Sequence, residues 1–502
     1  MVIKLKRGIP QLPLILIGSL LFATACKKDP VVIAPPVPPK VATREELTKD
    51  SIFLYAKETY YWNDALPSYD AFKPRTFATF QSELDVIKKF KIDPKTGKPI
   101  DKYSFLDDGS LSSELGGVSG DYGFSANFNN GDRNDLRIRY VYPNSPAGTQ
   151  NMNRGDQIIK LNGSTNVNGN NQANVDFLNN AIFGDNASIT MSLKKKDGSV
   201  VDVSITRGSY SLNPVLFNKV YTVGSKKVGY IVFNSFTTNA KSKLEEVFNN
   251  FSSEGVSEVI VDLRYNGGGA VSTAEDLTNL IAPASTTGQV MYTTYWTKTM
   301  QDGAAIILKN QKFYAEGRDG VRRLYSYFDY DYTPAENITK FGKIGASNIT
   351  RAYFIVTGST ASASELVINN LKPVMDVKLI GRKTYGKPVG FFALTIDKLD
   401  LYIPQFETKN SLNQGGYFDG MAVDKDDFDD IGKDFGDPSE RLLANALSYA
   451  DKGVFLAVKP GIDRISSVSP MAKQDVERLN SDINNHYFKG MIENRMPKLK
   501  KQ

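Results

Sequence analysis

Residues 356–387 constrain the fold more than any other stretch: V-T-G-S-T-A-S-A-S-E-L-V-I-N-N-L-K-P-V-M-D-V-K-L-I-G-R-K-T-Y-G-K. A buried-strand pattern, Tyr353-Phe354-Ile355-Val356, leads into it, and Gly358-Ser359-Thr360 follows as a small-residue turn. Residues 361–371 read as a helix with Leu366, Val367 and Leu371 on one side, and Pro373 stops it. Residues 377–380 form a second short apolar run, and the loop after it ends in Gly386-Lys387. A strand, a helix with serines in its first turn, a second strand and a lone lysine make one βαβ unit. The crossover places Ser362 and Lys387 near the carboxyl ends of neighbouring parallel strands, where open α/β sheets carry their chemistry.

Composition narrows that chemistry. The chain has 502 residues, one histidine, His486, and one cysteine, Cys26. A Ser-His-Asp triad and a His- or Cys-built metal site are both disfavoured. A hydroxyl activated by lysine is the main nucleophile that remains. The net charge is only +6, with lysines and acids interspersed, so no nucleic-acid surface is implied.

The run Thr360-Ala361-Ser362-Ala363-Ser364-Glu365, followed by Thr384-Tyr385-Gly386-Lys387, resembles the active-site pair of the C-terminal processing peptidases, or tail-specific proteases. In that family the nucleophile is the first serine of S-A-S-E, and the base is the lysine of T-[YF]-G-K, 25 residues later. Here 387 − 362 = 25, so the resemblance implies Ser362 as nucleophile and Lys387 as base. Two blander readings compete. A Ser-rich run can be only a close-packed helix start. The span Gly381 to Lys387 fits the first part of a phosphate loop, G-x-x-x-x-G-K, but Pro388 stands where that motif needs Ser or Thr.

The rest of the chain extends the resemblance. Residues 1–25 read as an export signal, with Lys4, Lys6 and Arg7 before an apolar core. Ala23-Thr24-Ala25-Cys26 resembles a lipoprotein signal, which implies lipidation of Cys26 and a membrane anchor, with Lys27 favouring the outer membrane of a Gram-negative-type envelope. Residues 26–42 are a Pro-rich extended linker. Residues 43–112 read as a small helical domain that resembles the N-terminal domain of the same peptidases, its aromatics assigned to the core. Residues 113–208 resemble a PDZ domain, a β-sandwich whose loop Tyr122-Gly123-Phe124 would hold a peptide C-terminus on backbone N–H groups. Residues 451–502 are a basic, partly helical tail of unread function.

Residues 209–450 are the catalytic domain, which the resemblance makes an α/β domain of the tail-specific protease type, ClpP/crotonase-like. The run Asp262-Leu263-Arg264-Tyr265-Asn266-Gly267-Gly268 aligns Gly268 with the glycine whose N–H forms half of the oxyanion hole. Ala363 N–H would be the other half. A dinucleotide loop is not completed, because position 272 is serine. Glu365 aligns with a family acid near the site and reads as a local hydrogen-bonding group. Some members carry a glutamine four residues after the lysine that orients it; here that residue is Phe391. The resemblance implies a serine endopeptidase of the cell envelope, without cofactor or metal, acting on polypeptides through their C-termini. Two other classes remain open: an inactive peptide-binding lipoprotein, and an envelope hydrolase of non-peptide esters or amides.

Overall fold

The computed structural model describes residues 42–129, 131–316, 320–457, 476, 478–480, 483, 490–495 and 497–500. The expected export signal, Cys26, nearly all of the linker and His486 lie outside the described residues.

From Arg44 onward the described chain forms one unit. Helix α1 (Arg44–Thr59) buries Ile52, Phe53, Tyr55 and Ala56. Helix α2 (Phe80–Ile87) starts at Thr79, whose hydroxyl accepts the Ser82 N–H. Phe77, read with this helix from its spacing, lies before it. The two helices have no core apart from the catalytic domain. Phe53 and Leu84 belong to the same buried cluster as Leu366 and Val367. Asp101 then shapes the turn that follows: its carboxylate accepts the N–H groups of Tyr103 (2.9 Å) and Ser104 (3.0 Å) and the Tyr60 hydroxyl (2.8 Å). The chain leaves this turn as β1 (Phe105–Asp107).

Next come β2 (Phe124–Phe128), β3 (Leu136–Val141), β4 (Gln157–Leu161), helix α3 (Gln172–Phe183), β5 (Ser188–Lys194) and β6 (Val200–Thr206). The strands form one antiparallel sheet in sequence order, so β2 is an edge. This module has its own core, built from residues such as Phe124, Leu136, Ile158, Leu178 and Ile189. Arg154 ties it to the rest of the protein. Its guanidinium bonds Asp429 at 2.6 Å and Tyr265 at 2.7 Å.

The central sheet contains β7 (Val215–Val223), β8 (Lys226–Phe233), β9 (Glu258–Asp262), β11 (Arg351–Val356) and β12 (Asp376–Gly381), with Lys425–Asp426 at the far edge. Between β9 and β11 lies the short strand β10 (Gly268–Ala270). All neighbours in the sheet are parallel except β7 and β8. Helices α4 (Lys241–Ser253), α5 (Val271–Ile281) and α6 (Ala363–Leu371) are the connections. Alternation explains the near-continuous apolar strands. Val259, Val261, Phe354 and Val356 face the large cluster that includes Leu244, Leu277 and Leu366, while Ile260, Tyr353 and Ile355 face Leu442 and Leu443 of α7 (Arg441–Lys452). Four α6 side chains, Leu366, Val367, Ile368 and Leu371, are fully buried, each contributing about 1.5–3 kcal/mol. After β12, strand β13 (Leu399–Tyr402) pairs antiparallel with β1 and brings residues 103–107 against the lysine segment.

The tail, expected to be partly helical, is helical at residues 476, 478–480 and 483 among those described. Its described residues include a strand, β14 (Gly490–Ile492), paired parallel with β10. Val476, Leu479 and Ile483 join the core of the sheet module.

Candidate active site

Two turns at the carboxyl ends of β9 and β11 are stitched together. Thr360 Oγ1 donates to Leu263 O at 2.7 Å, Thr357 Oγ1 to Arg264 O, Ala361 N–H to Asn266 O at 3.1 Å, and Ser364 Oγ to the same Asn266 O at 3.1 Å. The β9 turn is itself locked by the buried Arg264 guanidinium, which bonds Asp262, Asp429 and Glu440. Burial weakens the charged form of Arg264, but these three carboxylates outweigh it and hold its pKa well above the ordinary value.

The helix expected over 361–371 begins at Ala363. Ser362 has φ +62° and ψ −110°, outside helical geometry, and Ala361 N–H is already bonded to Asn266. A non-glycine residue held there costs about 1–3 kcal/mol, and such strain gathers at functional sites. Ser362 is fully buried, and its Oγ has no hydrogen-bond partner among the described residues. Ala363 opens the helix, so its N–H has no acceptor within the helix itself.

Glu365 joins this turn to the lysine loop. Its buried carboxylate accepts Ser362 N–H and Lys387 N–H on Oε2, both at 2.8 Å, and Gly386 N–H (2.8 Å) and Thr384 Oγ1–H (2.5 Å) on Oε1. Burial raises the Glu365 pKa above the usual carboxylate value, against the opposing pull of these four donors. Tyr385 N–H adds a bond to Thr360 O at 3.0 Å. The backbone of both candidate residues is therefore set by one carboxylate.

Lys387 is fully buried. Its Nζ stands 3.7 Å from the centre of the Phe391 ring and 5.6 Å from that of Tyr103. Burial disfavours the ammonium, whereas the aromatic faces favour it. Tyr103 also donates its hydroxyl to Gly386 O at 2.6 Å. Tyr103, one of the aromatics expected in the core, lies beside the lysine. Residues 101–104 showed a family likeness but no spacing that ties them to a loop nearly three hundred residues away.

Gly268 has φ +108°, and a Cβ there would stand 3.0 Å from Ala363 N and 2.2 Å from Gly490 O. Only glycine allows this approach. The two expected oxyanion donors, Gly268 and Ala363, are thus brought together. Gly268 N–H, however, donates to the Asn266 side chain at 2.9 Å. The Tyr122-Gly123-Phe124 loop sits elsewhere, in the sheet module. Its Gly123 N–H donates to Asp121 Oδ1 at 2.8 Å, and Tyr122 and Phe124 are buried. Among the described residues no cluster of His, Cys, Asp and Glu could hold a metal ion.

Residues 227–417 match peptidase family S41. The chain is 28% identical over 279 residues to a carboxyl-terminal-processing protease of Picosynechococcus sp., covering 55% of this chain and 56% of that protein. It is 21% identical over 308 residues to a chloroplastic C-terminal processing peptidase of Tetradesmus obliquus, covering 59% and 57%. The chain thus spans little more than half the length of these relatives. A solved structure assigned to the S41 proteases, from Bacteroides fragilis NCTC 9343, superposes with a TM-score of 0.52 at 22% identity, over 83% of this chain and 98% of that one; this likeness concerns the fold. Ser362, Glu365, Lys387 and Gly268 all lie inside the span that matches peptidase family S41, and over little more than half its length the chain is similar to the C-terminal processing peptidases.

Proposed function

We propose that this protein is a serine endopeptidase that cleaves polypeptides with Ser362 and Lys387. The observation that carries the reading is the Glu365 carboxylate, which binds the backbone of Ser362 and of Lys387 at 2.8 Å each and holds the two as one unit. An unperturbed lysine has a pKa of about 10.4 and is no base at neutral pH. In the proposed cycle Lys387 acts as the neutral amine and takes the Ser362 proton as Oγ attacks a peptide carbonyl. The carbonyl oxygen gains charge beside the Ala363 and Gly268 N–H groups. Lys387 gives the Ser362 proton to the departing amine as the C–N bond breaks and the acyl-enzyme forms, and water then attacks the ester and releases the acyl group. Asn266 must yield the Gly268 N–H, and Ser362 Oγ must meet the lysine, before this cycle can run.

In the same reading the 113–208 module acts as a PDZ domain that selects substrate C-termini, and lipidated Cys26 anchors the protein to an envelope membrane, the outer one in a diderm cell. The five-stranded antiparallel sheet of the module, with β2 at its edge, supports the first of these roles. The test is incubation of the purified protein with an unstructured polypeptide and mapping of the cuts by mass spectrometry. Cuts that vanish in Ser362→Ala are expected; an equally active Ser362→Ala refutes the assignment. For location, Cys26→Ala should move the protein to the soluble fraction, and unchanged membrane association refutes the anchor.

A catalytically silent peptide-binding protein is the second reading. It is favoured by the Ser362 Oγ, which has no hydrogen-bond partner among the described residues, and by the engaged Gly268 N–H. Any Ser362-dependent cut excludes it.

A further inference from the structure

Strand β14 lies between β10 and Phe391, against the candidate oxyanion glycine Gly268. It pairs with β10 in the register Gly268↔Gly490, Gly269↔Met491 and Ala270↔Ile492. Gly490 N–H donates to Gly267 O at 3.0 Å. On its other side Phe391 N–H donates to Met491 O at 3.0 Å, and Glu493 N–H donates to Phe391 O at 3.0 Å. One flank is therefore the strand that begins at the candidate oxyanion glycine. The other is the residue whose ring faces Lys387. Met491 is fully buried and Ile492 nearly so.

The pairing of β10 and β14 is three residues long, and single bridges from Phe236 to β10 and from Phe391 to β14 flank it. Backbone bonding on both flanks, with side chains in apolar surroundings, is how an extended peptide adds to an open strand. An independent contact repeats the theme. Asn480 accepts Phe128 N–H at 2.8 Å and donates to Phe128 O at 2.9 Å, filling the outer edge of β2, the edge strand of the sheet module.

We propose that the cleft between β10 and Phe391 is a subsite for an extended apolar stretch of polypeptide, held through its backbone, and that β14 is the chain's own occupant of it. This rests on the peptidase reading given above. A tethered strand competes at an effective concentration of about millimolar. External polypeptide therefore binds with the affinity reduced by the fraction of chains whose cleft is open. The chain becomes a competent peptidase when β14 leaves, and Gly268 is then exposed to a substrate backbone.

Binding is measured in the full chain carrying Ser362→Ala, by fluorescence anisotropy of a labelled unstructured peptide that contains Gly-Met-Ile. Met491→Asp places a charge in the buried position, and Glu493→Pro removes the N–H that Phe391 O accepts. Each should tighten peptide binding at least about tenfold. Unchanged or weaker binding in variants that melt cooperatively would show β14 to be a fixed wall of the site and overturn the proposal. Hydrogen exchange of the unsubstituted chain needs no variant. Saturating peptide should accelerate exchange at the Gly490 and Glu493 amides, and undiminished protection with peptide bound overturns the proposal as well. Failure of the parent reading looks different: peptide binding responds to Met491→Asp, yet neither the unsubstituted protein nor its Met491→Asp variant cuts anything.

Discussion

Replacing Glu365 by glutamine tests the reasoning about the site most directly, because the substitution keeps shape and burial and changes one oxygen to an NH2 group. In the protein each carboxylate oxygen accepts two donors, and three of the four are backbone N–H groups whose direction the chain fixes. Thr384 Oγ1 can reorient, although it already accepts Met421 N–H at 2.7 Å. The amide therefore leaves at least one buried N–H without an acceptor, at about 1–3 kcal/mol. The remaining bonds change from charge-assisted to neutral, at about 1 kcal/mol each. Relief of burying a charge offsets part of this. The balance is a destabilisation on the order of 2–4 kcal/mol, read as a shift of the denaturation midpoint at unchanged m-value. Cleavage should fall further than stability does, since a displacement of about 1 Å between Ser362 and Lys387 costs about a hundredfold in rate. A Glu365→Gln protein within about 0.5 kcal/mol of the parent, the level of a surface substitution, and cleaving normally would refute the clamp.

Three further outcomes follow from the same geometry. Lys387→Arg should be as inactive toward unstructured polypeptide as Ser362→Ala, because a guanidinium cannot accept the proton; near-normal cleavage would exclude Lys387 as the base. Glu83 is fully buried, neither of its oxygens has a hydrogen-bond partner among the described residues, and burial pushes its carboxyl from 4.5 up to about 8. The native state then holds a proton that the unfolded chain has lost, so stability falls as pH rises between those values. Glu83→Met should remove this slope and gain on the order of 4 kcal/mol at pH 8, measured by urea unfolding at several pH values; parallel profiles for the two proteins would refute it. Asp429 behaves oppositely: burial raises its pKa, but Arg154 and Arg264 override that and hold it far below the ordinary value. Its contribution is complete above the unfolded pKa of about 3.9 and is lost as pH falls toward the folded value. Asp429→Asn should cost about 3–5 kcal/mol at neutral pH and progressively less in acid; a constant deficit down to pH 2 would refute the ion-pair account.

The sequence by itself determined the local grammar of the site. Strand, turn, helix and strand over residues 351–381 are written in apolar alternation, small turn residues and Pro373, because these depend on neighbours within a few positions. The serine and lysine stand out because a chain with one histidine and one cysteine has few nucleophile–base pairs to offer. The glycines at the start of β10 could be read as a close backbone approach for the same local reason.

Tertiary structure alone decided what surrounds them. No periodicity links Tyr103 to Lys387, or Asn266 to Ala361, because contacts between distant segments are fixed by how whole elements pack. The helix lost its first two expected residues to such a contact, when Asn266 O took the Ala361 N–H and Ser362 was held at positive φ. Phe391 stands where a family glutamine was sought, and only the fold shows its ring against the lysine nitrogen. The tail is the clearest case. Three residues, Gly-Met-Ile, carry too little pattern to announce a strand; they become one because β10 and Phe391 present unpaired backbone groups that a third backbone can satisfy.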